Sequence, residues 1–485
     1  MNNDTENSNF LKARELFLQS IDLQQNGKPI EAKKNLEEAF KLYPSRESII
    51  NNLVILYFRF QEFENLKVLL SKIDQSGHIY KVGNLYLDYL NGDFNKCLKL
   101  SSELLTSLDD KDIRKSQLID LMINCYFQVG DIANIFLYCR KILKDKSFYD
   151  QKLFLVGNFL ILLSKPRAAK WYIQKSLKIN FNKTYLNYLG FCMLQLKDFK
   201  NGLPYWKERF DVPQSGFELF YEIPKLSSMQ QASKKKIVVW YEQGIGDTIN
   251  FSRFVIYLKK FTPDIFFVVQ DSLVEIFRSF YKDIQIISNQ KATNMSFDYQ
   301  ISLTGLMNLL DLNYEDIGCE IINGNKAIIN NTKPIEKIGF AYAGNPKYFR
   351  DKYRSMNIEK FRNIFSISSI EYFKLNNQID PEIKQYKNVN DLGDLSIFEI
   401  AKKLPQFDLV ISTDTFLVHL CGLLNINCIL LLNYNADWRW FEDRKYTKWY
   451  PSVRIFKQKK ILNWEDVIKT MVRFLRKKSK INLSQ

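Results

Sequence analysis

The stretch "WYEQGIGDTINFSRF" (240–254) combines a glycine turn with an acidic residue just before an apolar helical pattern. Gly244 and Gly246 permit a tight turn and the close approach of a ligand. Asp247 follows at the predicted start of the helix, where a carboxylate can cap backbone N–H groups or accept a proton as a general base. Both roles stay open, and Glu242 at the end of the preceding apolar run is the second candidate base. The glycine spacing predicts neither a dinucleotide fingerprint nor a P-loop.

A second candidate site is the stretch "STDTFLVHLCG" (412–422). An apolar strand pattern ends at Ser412 and Thr413, and a helical pattern begins near Thr415. The N-terminus of a helix presents free N–H groups and a partial positive charge, which suit a diphosphate. The pattern therefore predicts an anion site at the start of this helix.

A third candidate, "YAGNPKYFRDKYRSM" (342–356), places a turn at Gly344, Asn345 and Pro346 after an apolar run. Four cations follow this turn: Lys347, Arg350, Lys352 and Arg354. They are consistent with a solvated basic loop or with a clamp on a diphosphate. Arg354 is the best clamp candidate, because a guanidinium binds phosphate oxygens with two parallel hydrogen bonds.

The last motif, "NADWRWFEDRKYTKWYP" (435–451), is dense in aromatic residues, which can stack on a ligand or fill a core. We predict core positions for Trp440 and Phe441. Trp438 and Arg439 are better candidates for binding, because they lie just past a strand predicted to end at Asn433.

These motifs need a scaffold of strands and helices to position them. Alternating strand and helix patterns favour doubly wound parallel sheets, and two Rossmann-like lobes are predicted at 235–330 and 331–485. Facing lobes of this kind form a cleft between the carboxyl ends of their strands. The predicted strands are 237–241, 264–270, 284–288, 297–303, 337–344, 370–375, 407–413 and 427–433.

Residues 1–210 carry a different pattern, with a repeat of about 34–38 residues. In "GKPIEAKKNLEEAFKLYP", the spacing of Ala32, Leu36, Ala39 and Pro44 matches the second helix of a tetratricopeptide (TPR) repeat. Because the middle units are degenerate, a generic array of α-hairpins is the alternative. Either array stacks into an α-solenoid with a surface for a partner protein.

Composition narrows the class of protein. Residues 211–234 are rich in Pro, Ser and Lys and are predicted to be a linker. The net charge of +16 reflects either a bias of composition or affinity for anionic ligands such as nucleotide phosphates or an acidic sugar. No nucleic-acid motif is found. Seven scattered cysteines and two histidines predict free buried thiols and no metal site.

The apolar runs are all shorter than the ~18 residues that a membrane span needs. The first residues also lack a signal pattern. We therefore expect a cytoplasmic protein.

Together the four motifs resemble the TPR-linked GT-B glycosyltransferases. That group is similar to the heptosyltransferases (glycosyltransferase family 9) and includes proteins implicated in flagellin glycosylation. The resemblance covers residues 200–485 well and the repeats loosely. It implies a GT-B fold and metal-independent, inverting transfer of a sugar from a nucleotide-sugar donor, with no cofactor. The expected acceptor is a protein recruited by the TPR array.

The resemblance also implies roles for individual residues. Asp247 matches the family's general base. Asp414, Thr415 and His419 match its Asp–Thr–Gly…His donor motif. Phe416 stands at the position where the family usually has a small residue. A buried core position is the alternative for His419. The residues expected to bind the donor are Gly244, Gly246, Gly344, Asn345, Arg354, Asp414, Thr415, His419, Trp438 and Arg439.

Two other functions remain open at this point. The first is a TPR scaffold whose transferase domain is inactive, which Phe416 favours, as does Asn376 where relatives tend to carry Gln. The second is a transferase that builds a surface polysaccharide or lipopolysaccharide, in which case the repeats only organise a complex.

Overall fold

A computed structural model of the chain describes residues 2–25, 28–60, 62–108, 112, 114–144, 146, 149–207, 218–318, 334–346, 351–376, 380–441 and 445–479. The chain divides into two compact units. The first unit comprises Met1–Ile161 and Arg167–Leu189, and the second comprises Leu162–Pro166 and Gly190–Gln485.

The N-terminal half consists of consecutive helices joined by short turns. Ala32, Leu36 and Ala39 are fully buried, as the TPR spacing predicts, because their small and branched side chains let two helices approach closely. The predicted α-solenoid is confirmed. Its helices are α1 Asn2–Gln25, α2 Pro29–Leu42, α3 Glu47–Arg59, α4 Phe63–Leu70, α5 His78–Asn91, α6 Phe94–Thr106, α7 Arg114–Val129, α8 Ile132–Ile142, α9 Tyr149–Leu162, α10 Pro166–Ile179, α11 Lys183–Gln195 and α12 Phe199–Lys207.

Strands alternate with helices in the rest of the chain. The strands are β1 Ile237–Trp240, β2 Ile265–Val269, β3 Gln285–Ser288, β4 Tyr299–Ser302, β5 Lys337–Ala341, β6 Glu371–Lys374, β7 Val389–Asp391, β8 Leu409–Thr413, β9 Cys428–Leu432 and β10 Val453–Lys457. The helices are α13 Glu218–Glu222, α14 Ile245–Phe251, α15 Asp271–Phe280, α16 Asn289–Ala292, α17 Leu303–Leu309, α18 Asp351–Arg354, α19 Arg362–Phe365, α20 Ile397–Lys403, α21 Phe416–Leu423 and α22 Glu465–Ser479. Short 3-10 helices lie at Met229–Ala232, Ser252–Lys260, Tyr314–Ile317, Ile358–Phe361, Pro381–Gln385, Leu404–Gln406 and Trp438–Trp440.

The strands form two parallel sheets of Rossmann type. The first has the order β3-β2-β1-β4, with Val238 opposite Phe266. The second has the order β10-β9-β8-β5-β6-β7, with Ile338 opposite Leu409. Counted from its own first strand, each sheet follows the Rossmann order 3-2-1-4, and the second continues to 5 and 6. The predicted pair of Rossmann-like lobes of a GT-B fold is therefore confirmed.

Two strands were not predicted from the sequence. In β7 only Val389 is buried, and in β10 the basic residues Arg454 and Lys457 interrupt the apolar run. Both strands lie at the edges of the second sheet, where one side of the strand has no neighbour to cover it. Edge strands therefore lack the continuous apolar run by which the central parallel strands were recognised.

The second half of the predicted linker packs against the first sheet. The Phe220 ring stacks on Trp240 at 5.5 Å between centroids, and the Leu226 amide donates to the Gln300 carbonyl at 2.9 Å. Residues 208–217 lie outside the described part of the chain. The Pro-, Ser- and Lys-rich composition gave no sign that these two apolar residues pack against the sheet. The limits of the linker remain a prediction.

One apolar core cluster contains residues of both sheets. It includes Phe199 and Trp206 of α12, and the Trp206 ring lies 5.2 Å from that of Trp438. Because this core is shared, the loops that follow the two sets of strands are held against one another. Within the described ranges, no helix combines the length and apolarity that a bilayer-spanning segment requires.

Candidate active site

The site forms where the strand order of each sheet reverses. In such sheets the loops after the two strands at the reversal point diverge and leave a crevice for a ligand. The reversal lies between β1 and β4 in the first sheet and between β5 and β8 in the second. Each of these strands except β4 is followed by one of the predicted motifs.

At the first reversal point, Glu242 follows β1 and Thr304 follows β4. Glu242 is buried, and its Oε2 accepts a hydrogen bond from the Thr304 hydroxyl. Sequence reasoning selected Glu242 but missed Thr304, which stands directly after a predicted strand. This bond joins the two loops and holds the Glu242 carboxylate in place.

Asp247 is not the N-cap of α14, so the capping role considered for it is wrong. The N-cap is Gly244, whose carbonyl accepts from the Asp247 amide at 3.0 Å. The Asp247 side chain instead lies in the first turn, and its Oδ1 pairs with Arg439 Nη1 at 2.7 Å. A carboxylate in the first turn still interacts favourably with the helix dipole.

Arg439 links the two sheets. It lies in the short helix Trp438–Trp440 that follows β9, and its Nε is 3.4 Å from Asp437 Oδ1. Its guanidinium therefore lies between Asp437 of its own loop and Asp247 of the first lobe. The side chains of Arg439 and Asp247 are 14% and 18% exposed, and the pairing oxygen Asp247 Oδ1 is itself buried.

At the second reversal point, Arg354 crosses from the loop after β5 to the loop after β8. Its Nη1 donates to the Asp414 carbonyl at 2.7 Å, and its Nε donates to Asp351 at 2.9 Å. A Cβ on Gly344 would lie 2.7 Å from both Arg354 Nη2 and Asp351 Oδ1, so only glycine leaves room for this pair. Sequence reasoning found Gly344 and Arg354 but not Asp351.

Thr415 begins α21, as predicted, and its hydroxyl accepts from the Leu417 amide at 3.3 Å. Asp414, one residue earlier, is largely buried. Burial raises the pKa of Asp414, while Arg354 and Arg439 oppose that rise. Two guanidinium groups therefore act on the start of α21.

His419 is buried between the two lobes. Its Nδ1 lies 2.9 Å from the Tyr450 hydroxyl, which donates to Asn250 Oδ1 at 2.7 Å. Since the tyrosine proton is committed to Asn250, Nδ1 of His419 carries a proton and Nε2 does not. Its ring stacks on Trp440. Burial, with nearby Arg439, Arg253 and Arg354, holds the pKa of His419 well below its ordinary value.

These contacts match the core alternative for His419 more closely than contact with a donor. Nε2 is 4.0 Å from Asp414 Oδ1, and a Cβ on Gly246 would lie 2.8 Å from His419 Cδ2. Gly246 therefore lets α14 approach α21, and the close approach of a ligand at this glycine stays a prediction.

Arg253 braces the same junction. Its Nη1 donates to the Trp449 carbonyl at 2.9 Å, and its Nε donates to the Asn250 carbonyl at 2.7 Å. Both lobes thus share hydrogen bonds beside the candidate site.

The aromatic motif is largely core. Trp440 and Phe441 are fully buried, as predicted. Trp438 is also buried, with its ring stacked on Phe251 at 6.1 Å. The structure thus places Trp438 in the apolar core and not on an open face, contrary to the binding role predicted for it.

The basic loop of the third motif is described only in part. Asn345 is exposed beside Gly344, and Lys352 lies over the Tyr353 ring at 5.5 Å. Lys347 and Arg350 lie outside the described residues, so their predicted role in a clamp stays a prediction.

Buried polar atoms mark the carboxyl edge of the second sheet. Several have no hydrogen-bond partner among the described residues: Tyr342 Oη, Asn376 Oδ1 and Nδ2, Thr413 Oγ1, Asn435 Nδ2 and Gln458 Nε2. Such atoms are uncommon in folded proteins, where buried polar groups bond protein, ordered water or a ligand. Polar residues at the ends of apolar strands, such as Thr413 at the end of β8, are the signal by which the sequence could have revealed them.

The described residues contain no group of three or more His, Cys, Asp or Glu side chains arranged to hold a metal ion. The six described cysteines are all buried, and none of them is in a disulfide.

No protein-family model and no curated protein matches the chain. Among solved structures, it is similar to the E. coli heptosyltransferase WaaC with ADP-2-deoxy-2-fluoro heptose, at 14% identity over 49% of this chain and 99% of that chain (TM-score 0.32). It is also similar to a glycosyl transferase of family 9 from Veillonella parvula, at 14% identity over 51% and 91% (TM-score 0.34). The chain is also similar to an O-GlcNAc transferase from Thermobaculum terrenum, at 6% identity over 98% of this chain and 94% of that chain (TM-score 0.29).

Proposed function

We propose that this protein is a metal-independent, inverting glycosyltransferase that takes a sugar from a nucleotide-sugar donor. The ion pair between Asp247 and Arg439 supports the proposal most strongly. It brings a candidate base from the reversal point of the first sheet to a cation at the carboxyl edge of the second.

The donor would bind at the edge of the second sheet. Arg354, Arg439 and the start of α21 provide positive charge for a diphosphate. The unpartnered polar atoms around Thr413 and Asn376 suit the hydroxyls and ring nitrogens of a nucleoside. Sugar transfer develops negative charge on the leaving diphosphate, and fixed guanidinium groups can stabilise that charge as a metal ion would.

Asp247 would accept the proton. As the acceptor oxygen bonds to the anomeric carbon, the bond from that carbon to the diphosphate breaks and its electron pair leaves with the diphosphate. The acceptor's proton then passes to the Asp247 carboxylate. Diphosphate binding would compete with Asp247 for Arg439, and so would free the base when the donor is in place. Glu242, with one oxygen bonded to Thr304, is the second candidate.

The acceptor is proposed to be a protein recruited by the helix pairs of the N-terminal half, because stacked TPR-like pairs provide extended surfaces for polypeptides. We propose a cytoplasmic location, since nucleotide sugars are made there. The runner-up is a scaffold without activity, and it is favoured by Phe416, which lies at the first helical position of α21.

The test begins with calorimetry of the full chain against ADP, GDP, UDP and dTDP, followed by release of the matching nucleotide from its sugar forms. We expect one nucleotide to bind and the Asp247→Asn variant to bind it equally, with transfer slowed about 10²–10⁴-fold. Mass spectrometry of proteins from cells with and without the chain would identify the acceptor.

Two results would decide against this proposal. Binding of none of the four nucleotides would favour the scaffold. Transfer by Asp247→Asn near the original rate would move the base to Glu242, and Glu242→Gln would then be the variant to lose transfer.

A further inference from the structure

Helix α10 carries a basic stripe with a tryptophan at its centre. Arg167, Trp171, Lys175 and Lys178 are exposed, and their spacings of four, four and three residues place them on one side of the helix. Lys175 Nζ lies over the Trp171 ring, 3.9 Å from its centroid. This stripe is a continuous cationic and aromatic surface.

The charge around α10 has one sign over a long stretch. Residues 151–197 contain no Asp or Glu. Asp150, just before this stretch, is buried, and its carboxylate accepts from the Asn180 side chain at 3.1 Å. Every charged side chain of this stretch is therefore a cation.

Bulky apolar side chains stand on the same helix and just after it. Trp171, Ile179 and Phe181 are 50%, 56% and 68% exposed, and Phe181 is the most exposed large apolar residue in the described chain. Leaving such side chains in water costs free energy that burial in an apolar phase would recover.

The stripe is displayed from a well-packed helix. On the opposite side of α10, Ala169 and Ile173 are fully buried, and the Ser176 hydroxyl donates to the Asp150 carbonyl at 2.7 Å. The exposed side is thus a defined surface of a folded helix.

We propose that this surface, formed by Arg167, Trp171, Lys175, Lys178, Ile179 and Phe181, binds the headgroup layer of an anionic membrane. Lysine and arginine side chains bind acidic headgroups while their stems lie along apolar surface. Tryptophan favours the same interfacial layer, and the exposed Ile179 and Phe181 can enter the acyl boundary. A soluble polyanion would pair with the basic side chains but, unlike a membrane, would leave the apolar side chain of Ile179 exposed to water.

The surface can be tested by co-sedimentation of the full chain with phosphatidylglycerol vesicles and with phosphatidylcholine vesicles. We expect binding to the first only, weakened by high salt. Each cation removed near such a surface weakens binding about fivefold, so Lys175→Glu/Lys178→Glu should lower affinity at least about 25-fold. Phe181→Ser should lower it about tenfold or more.

Matched controls come from the same helical half. Lys41 and Lys99 are exposed lysines on α2 and α6, and Leu137 on α8 is 46% exposed. Lys41→Glu/Lys99→Glu and Leu137→Ser should retain binding within about twofold to threefold, because the net charge changes equally but the stripe does not. Circular dichroism of each variant confirms that the helices are intact.

Three outcomes would overturn the proposal: no binding to phosphatidylglycerol vesicles, equal binding to both vesicles, or equal losses in the stripe and control variants. Binding of poly-L-glutamate or single-stranded RNA through the same residues, with no binding to vesicles, would assign the surface to a soluble polyanion. None of these results depends on sugar transfer.

Discussion

Arg354 and Arg439 approach the start of α21 from different loops, and each is oriented by a carboxylate. Arg354 is fixed by Asp351, whereas Arg439 is shared between Asp437 and Asp247. Because Asp351 belongs to the same short helix as Arg354, a bound phosphate would leave that bond intact. Arg354 is therefore already oriented for the proposed diphosphate, whereas Arg439 would have to exchange Asp247 for the phosphate.

Replacing Arg354 with Ala should weaken binding of the nucleoside diphosphate that the wild type binds. Hydrogen bonds to charged groups contribute about 1.5–3 kcal/mol, so the loss should be about 10–100-fold, measured by calorimetry. Arg362→Ala is the matched control, since Arg362 is exposed on the same lobe and its ion pair with Glu359 is long, at 3.9 Å. Equal affinity in both variants would exclude Arg354 from the site.

At the scale of elements, the contact between α14 and α21 joins the two lobes. A Cβ at Gly246 would lie 2.8 Å from His419 Cδ2 and 3.5 Å from the Phe416 Cα. At Gly244 it would lie 3.6 Å from the nearest recorded atom, Asp247 Oδ2, which is an ordinary contact. Two glycines of one turn thus differ sharply in the space around them.

Gly246→Ala should lower the free energy of unfolding by about 1–3 kcal/mol, because the added methyl group overpacks the junction. Gly244→Ala should change it by less than about 1 kcal/mol. Urea unfolding followed by tryptophan fluorescence measures both, since six of the seven tryptophans lie in the second unit. Equal stability of the two variants would show that α14 and α21 can separate at little cost.

His419 should make the second unit less stable in mild acid. Its folded-state pKa lies well below the ordinary value near 6.5, so the unfolded chain binds more protons. Stability that is present above pH ~6.5 is therefore lost as pH falls, by at most about 1.4 kcal/mol per pH unit. Urea titrations between pH ~5 and ~7 should show this slope, and His419→Gln should reduce it.

His78→Gln is the control, because the pKa of His78 is also lowered, chiefly by burial, but His78 lies in the first unit. It should leave the tryptophan-detected slope unchanged. Burial raises the pKa of Asp414, which acts in the opposite direction, so the comparison between variants is the informative quantity. An unchanged slope in His419→Gln would contradict the assignment.

Over the whole molecule, thiols are shielded from solvent in both units. The described cysteines are all buried, and burial raises the pKa of Cys139 to about 12 and that of Cys421 well above its ordinary value. Because the thiolate is the reactive form, these groups should be inert in the folded chain.

Titration with Ellman's reagent should therefore show at least six thiols that react only after unfolding in guanidinium. Cys319 lies outside the described residues and is not included. Rapid reaction of more than one thiol in the native protein would show that one of the buried sites opens under native conditions.

Much of the architecture could be predicted because its signals are local. The small residues Ala32 and Ala39 predicted a close pair of helices, and continuous apolar runs such as that of β9 predicted central parallel strands. The edge strands β7 and β10 were missed because they lack this local signal. Their apolar pattern is interrupted by polar residues.

The sequence by itself determined which residues follow each strand, because strand ends and glycine turns are encoded in neighbouring positions. Only the tertiary structure decided which of those residues meet. Asp247 pairs with Arg439 in place of capping its helix, and the Tyr450 hydroxyl bonds Asn250, 200 positions away in the chain. The physical reason is packing. Gly246 lets α14 approach α21, and in that contact His419 becomes a buried bridge between the lobes, beside the pair formed by Arg439 and Asp247.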